Sequence, residues 1–258
     1  MGSGPGPVKQ VDISRDCGVS PSTLNRIVKS LSDWGYLFRT SEKYCVRNFR
    51  LERNVPMSEA YLAKLDNIMR ALSDSLGVSA EVVVVAGHEL LWHSKTEHPD
   101  PDVVIRANVG FRRSLYEFDV LAQLYLSRLD WGDVQAQFYM DGFFETLRRT
   151  GQHRKWLIPG SVKERLHARR GEVFVADLEG NHMGIRRFAT VIEDPSGKFL
   201  HLLTLAEPAN AATDEKELVG RYRDALLKAR EELAELVLME SSANRPRPKY
   251  HVLPQRGG

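Results

Sequence analysis

Two hydrophobic rhythms run along the chain. Leu24, Ile27, Val28 and Leu31 fall at i, i+3, i+4 and i+7, one apolar stripe on a helix that Ser20 caps, Pro21 opens and Trp34-Gly35 ends. A shorter helix is predicted before it, Val11 to Cys17, stopped by Gly18. Leu62, Leu65, Ile68, Met69, Leu72 and Leu76 repeat the helical spacing over 58–76, with Gly77 placed to end it. Strand character is predicted at Tyr36–Arg39 and Tyr44–Arg47, which make a small hairpin. It returns at Val78–Ala86 and Leu90–Ser94, joined through Gly87-His88-Glu89, and at Val103–Ala107. Leu115, Phe118, Leu121, Ala122, Tyr125, Leu126 and Leu129 predict a helix, as do Asp133–Thr150 and Val162–Arg170. Strands then follow at Val173–Ala176, Ile185–Glu193 and Phe199–Ala206, the last two joined by the turn Asp194-Pro195-Ser196-Gly197. A long helix over 214–238 carries Leu218, Tyr222, Leu226, Leu233 and Val237.

Five or six strands with helices before, between and after them make an α+β domain, its sheet covered by helices. Asn54-Val55-Pro56 separates it from the first segment. Four stretches result: a flexible leader over 1–10, a helix-turn-helix segment over 11–54, the larger domain over 55–241, and a polar tail over 242–258 rich in Pro and Gly, expected to be disordered.

Composition narrows this picture. With 258 residues, 42% hydrophobic and 27% charged, the chain is globular material for one large domain or two smaller ones. Its longest apolar run, Val82–Ala86, is far too short to cross a bilayer as a helix. Met1–Pro7 lacks the basic and apolar blocks of a signal peptide. Two cysteines exclude a disulfide scaffold or a Cys-rich zinc module, and the cytoplasm is the expected location. The net charge of +2 is unevenly spread: residues 1–54 hold nine Lys and Arg against five acids, so +4 sits there and −2 on the remainder. An anionic partner is expected for the first segment alone.

A short helix, a Gly turn and a second helix apolar on one face is the sequence form of a helix-turn-helix. The outward residues suit DNA. Ser20, Ser22 and Thr23 stand at the positive end of the helix dipole, where phosphate is favoured. Asn25 pairs with adenine, Arg26 with guanine or phosphate, and Lys29 with the backbone. The hairpin is then a wing, with Lys43 at its tip and Arg39 and Arg47 on its flanks.

The run GVSPSTLNRIVKSLSDWGYLFR resembles the winged helix-turn-helix of the IclR family of bacterial transcriptional regulators, and the segments VGFRRSL and GIRRFATVIEDPSGKFLHLLTLAEP resemble that family's GAF-like effector-binding domain. The resemblance spans Val11 to about Val237. It implies a dimer or dimer of dimers that binds a partly palindromic operator, represses or activates, and responds to a small metabolite, often a carboxylate or aromatic acid. It also implies a helix before Val11, where this chain has only Met1–Gln10, and whether the winged domain has its first helix stays open. Where the family shows His-Ala-Thr this chain reads Tyr116-Glu117-Phe118, which implies an altered pocket containing Tyr116 and Phe118. Asp177 falls at an acidic pocket position, Ile185 at an apolar one, Arg187 where Cys is common, and Thr204 and Ala206 at positions often Ser.

Arg187 favours an anionic effector through bidentate pairing; pairing with Asp177 or exposure to solvent are the alternatives. The aromatic set Trp131, Phe138, Tyr139, Phe143 and Phe144 suits a core or the wall of an aromatic site. Cys17 and Cys45 read as small core residues. His88, His93 and His98 recur every five residues beside acids, a spacing that scatters them over a strand and a loop, so no metal and no cofactor are expected. Hydrolase, zinc-protease and nucleotide signatures are missing, and the reading is of a non-enzyme. Two other readings stay open: a small-molecule-binding dimerisation module without DNA binding, and a metal-dependent enzyme.

Overall fold

The computed structural model describes residues 8–33, 37–39, 44–47, 59–146, 154–181, 183–209 and 215–243. Near the N-terminus, α1 (Gln10–Cys17) and α2 (Pro21–Asp33) meet at a turn where Gly18 adopts φ 62°, a left-handed conformation that costs glycine little. Leu24 and Val28 are buried against Ile13 and Val19. The rest of the expected stripe is less covered: Ile27 is 44% exposed and Leu31 36%. Beside the helices, β1 (Val8–Lys9), β2 (Leu37–Arg39) and β3 (Tyr44–Arg47) form an antiparallel sheet in the order β1-β3-β2. Val8 and Lys9, expected in the leader, thus pair with Cys45 and Tyr44. Cys17, expected in the core, is exposed because α1 buries none of its own residues.

The larger domain is built on six strands, all antiparallel among the described residues. They are β4 (Ser79–Ala86), β5 (Glu89–Lys95), β6 (Arg112–Ser114), β9 (Phe174–Asp177), β10 (Ile185–Glu193) and β11 (Phe199–Pro208), in the order β6-β5-β4-β11-β10-β9. A separate two-stranded ribbon pairs β7 (Phe144–Thr146) with β8 (Arg154–Trp156). Both faces of the sheet are covered, which is why β4 is apolar at nearly every position rather than at alternate ones. Ala80, Val82 and Val84 pack under α3 (Glu59–Leu76) and α7 (Glu215–Ala243). Val83 and Val85 pack on the other side with α4 (Val120–Leu126), α5 (Trp131–Gln137) and α6 (Pro159–Ala168).

On α3 the buried edge is Tyr61, Leu65, Ile68, Met69 and Leu72; Leu62, one position round the helix from Tyr61, is turned outward. The helix expected from Leu115 begins only at Val120. The Asp119 carboxylate accepts the Ala122 N–H at 2.9 Å and so starts it, while Leu115 and Phe118 bury their side chains ahead of it. Their spacing imitated a helical period without being helical. The helix expected over 133–150 ends at Gln137, and its continuation is a 3-10 turn at Met140–Gly142 followed by β7. Gly142 is required there: a Cβ would stand 2.9 Å from the Tyr116 ring. Val103–Ala107 forms no strand, and Arg112–Ser114 takes the sheet edge instead.

Candidate functional site

The first candidate site is the outward face of α2. Pro21 at the first helical position and the Ser20 hydroxyl, which accepts the Thr23 N–H at 3.2 Å, set where the helix begins. Ser20 Oγ also lies 2.9 Å from both Ser22 Oγ and Thr23 Oγ1, so three hydroxyls cluster at the positive end of the helix dipole. Ser22, Asn25, Arg26 and Lys29 are exposed on one side, opposite buried Leu24 and Val28. Arg39 lies in β2 at the end of the paired ribbon. Lys43, expected at the wing tip, is outside the described residues, as is the tail over 244–258.

The second candidate site lies on the sheet face under α4. Cross-strand register aligns Asp177, Arg187, Ala206 and Ser79 in one row across β9, β10, β11 and β4. Thr204 and Glu81 occupy the next inward-facing row with Ala189 and Val175. Four residues expected at the effector site, Asp177, Arg187, Thr204 and Ala206, are thereby neighbours, and Ile185 is two positions from Arg187 on the same face. Tyr116 lies toward the far end of β4 from them, and Phe118 shares with Val175 and Ala189 the core beneath α4. Tyr116 packs against His88 in the β4–β5 turn and against Phe138 and Phe143, and Phe118 packs against Phe143. Along β4 that turn is about 26 Å from the Ser79 row, eight residues at the usual strand rise.

Arg187 is buried, and its carboxylate partner is Glu81, two strands away. Nε donates to Oε2 at 2.9 Å and Nη2 to Oε1 at 3.3 Å, the bidentate geometry that guanidinium favours. Thr204 Oγ1 donates to the same carboxylate at 3.1 Å. The Arg187 guanidinium carbon stands 5.3 Å from the centre of the Trp92 ring, and that of Arg113 is also 5.3 Å from it. Arg113 in turn pairs with Asp119, the cap of α4. Trp92 Nε1 and Ser79 Oγ are buried polar atoms with no hydrogen-bond partner among the described residues. The sequence did carry a signal for Glu81: a single acid inside the strand SAEVVVVA requires a buried partner, and Arg187 inside IRRFATVIE requires one too.

The histidines do not converge. His88 stacks on Phe138, His93 Nδ1 is 2.7 Å from Ser94 Oγ, and His98 Nδ1 accepts the Asp100 N–H at 3.1 Å. Among the described residues no cluster of three or more His, Cys, Asp or Glu is arranged to hold a metal ion. None of the helices described is long and apolar enough to cross a membrane. The expected aromatic set divides: Phe138 and Phe143 join Tyr116, Phe144 packs on Trp156, and Trp131 lines a cavity with Lys163 and Leu166 of α6.

No protein-family model matches the chain, and no curated protein matches it. Among solved structures the fold is that of IclR regulators. The IclR of Thermotoga maritima is 17% identical, with 91% of this chain and 93% of that one covered at a TM-score of 0.54. The Agobacterium tumefaciens repressor BlcR is 16% identical, with 91% of each chain covered and a TM-score of 0.52. The inducer-binding domain of the Acinetobacter transcription factor PobR, a double mutant in complex with 3-hydroxybenzoic acid, is 18% identical, covering 66% of this chain and 95% of that one at a TM-score of 0.54. The α+β architecture expected from the residues is therefore the fold observed.

Proposed function

We propose that this chain is an IclR-type transcriptional regulator, a binding protein rather than an enzyme, in which α2 reads duplex DNA and the larger domain senses a small molecule. The observation that carries the reading is the likeness to IclR regulators over nine-tenths of the chain, head and sheet domain together. The exposed polar face of α2 supports the DNA half, since small hydrogen-bonding residues backed by cations suit the major groove. For the sensing half, Ser79 Oγ and Trp92 Nε1 are buried polar atoms that a bound molecule would satisfy. Such a regulator works in the cytoplasm as a homodimer or dimer of dimers, so that two copies of α2 meet two half-sites.

The route from Arg187 to an anionic effector changes. Its guanidinium is matched by Glu81, and an anion there would strand that carboxylate in the interior. The effector is accordingly a small molecule that settles over the row while leaving the pair in place. It acts on DNA binding only through a difference in its affinity for two arrangements of the heads.

The test uses a duplex selected from a random pool against the wild-type protein. Arg26→Ala should weaken its binding by about 1–3 kcal/mol, roughly tenfold or more, and rising salt should weaken the wild type steeply. Affinity indifferent to both salt and the substitution sinks the DNA-reading role. Failure to select any duplex, with small-molecule stabilisation retained, points to the dimerisation module instead.

A further inference from the structure

We propose that the cavity lined by the segment after α4, by α5 and by α6 is a second small-molecule site that takes a single-ring aromatic carboxylate. The inference goes beyond the regulator reading and is independent of it. The cavity measures about 170 Å³. An apolar cavity of about 150 Å³ holds a benzene ring, so this one has room for a single ring. Its floor is apolar: Val134 and Leu166 are buried core residues, and Leu129 and Trp131 pack against the same core.

The rim is cationic. Lys163 and His167 on α6 and Arg170 just after it fall at i, i+4 and i+7, which places all three along one side, and no acidic side chain lines the cavity. Lys163 Nζ stands 5.9 Å from the centre of the Trp131 ring, at the outer reach of a cation–π contact, and no acidic partner of it is found among the described residues. Arg170 Nη2 does pair with Asp130 Oδ1 at 2.6 Å, but the side chains are 62% and 73% exposed. A pair so open to water contributes little and yields to a ligand. An aromatic carboxylate meets every wall at once: its ring lies on Trp131, Leu129 and Leu166, and its oxygens accept from Lys163 Nζ and the Arg170 guanidinium.

Calorimetric titration of the full chain with benzoate and with benzyl alcohol tests the proposal. Benzoate should bind saturably and about tenfold tighter than benzyl alcohol, the size of one charge-assisted hydrogen bond. The rim variant K163Q/R170Q should lose about that factor for benzoate, bind benzyl alcohol as the wild type does, and keep the melting temperature of the unliganded protein. The proposal is overturned by any of three results: no benzoate binding at millimolar concentration, benzyl alcohol binding as tightly as benzoate, or benzoate binding untouched in the rim variant. The last result would place benzoate elsewhere, the sheet face included, and none of the three alters the role of α2 on DNA.

Discussion

Arg187→Met is expected to lower folding stability by about 3–5 kcal/mol, the cost of leaving a buried carboxylate without its counter-ion. Glu81 is fully buried, and its oxygens are held by Arg187 Nε, Arg187 Nη2 and Thr204 Oγ1. Removing the arginine takes two of those three bonds and the charge with them. Domains of this kind hold about 5–15 kcal/mol in total, so the variant should unfold at markedly lower urea. The double variant Glu81→Leu with Arg187→Met removes both charges and should regain most of the loss, because replacing a buried pair with apolar groups is often near neutral. Urea unfolding of the four proteins in the cycle measures the coupling directly. A single variant as stable as wild type, or a double variant that loses the plain sum, would falsify the pairing. If Arg187→Met does not accumulate in folded form, recovery of soluble protein by the double variant reads the same coupling.

The second large effect is on pH. His201 is fully buried beneath α3, where burial pulls its pKa down from 6.5 to about 4, partly opposed by the hydrogen bond to the Leu202 carbonyl and reinforced by His93 nearby. A carbonyl only accepts, so Nδ1 carries the hydrogen and Nε2 accepts the Tyr61 hydroxyl at 2.7 Å. The neutral ring belongs to the folded state, whereas the unfolded chain takes up a proton near pH 6.5. Stability is therefore full above about pH 6.5, falls as the pH drops through the window down to about 4, and falls no further from this group below it. The whole window corresponds to about 3 kcal/mol, of which about 2 is lost by pH 5. Burial also lowers the His93 pKa, with the same sign. Urea unfolding at pH 7 and pH 5 should show the difference, and His201→Gln should remove the greater part of it. Equal wild-type stability at the two pH values would contradict the buried neutral ring.

What could be read from the chain depended on how local the cause was. The bounds of β10 are those expected, since the turn after it is written in the sequence: Asp194 Oδ1 accepts the N–H groups of Ser196 and Lys198, and Gly197 follows at φ 80°. The cap and stripe of α2 were equally local, although covering Ile27 and Leu31 depends on what lies beside them. Apolar spacing misled where tertiary packing supplied the burial. Leu115 and Phe118 look helical with Leu121 and Ala122, yet they are buried by the rings around Phe143. The Glu81–Arg187 pair was beyond local reasoning, because its partners are 106 positions apart and meet only through strand register. Register also carried the row of Asp177, Arg187 and Ala206, which the likeness to IclR regulators had grouped without geometry.

The central pairing of β4 with β11 bears on how the protein is made. The β4–β5 hairpin leaves the ribosome early, while the strand that closes its other edge begins at Phe199, roughly 110 residues later. At ordinary elongation rates that interval is roughly 5–20 s, during which the VVVV edge of β4 has no strand beside it. Such an edge is apolar, uncharged for four residues and prone to pair with another nascent chain. Synthesis thus passes through a period of exposure to aggregation that ends only when the β10–β11 hairpin arrives.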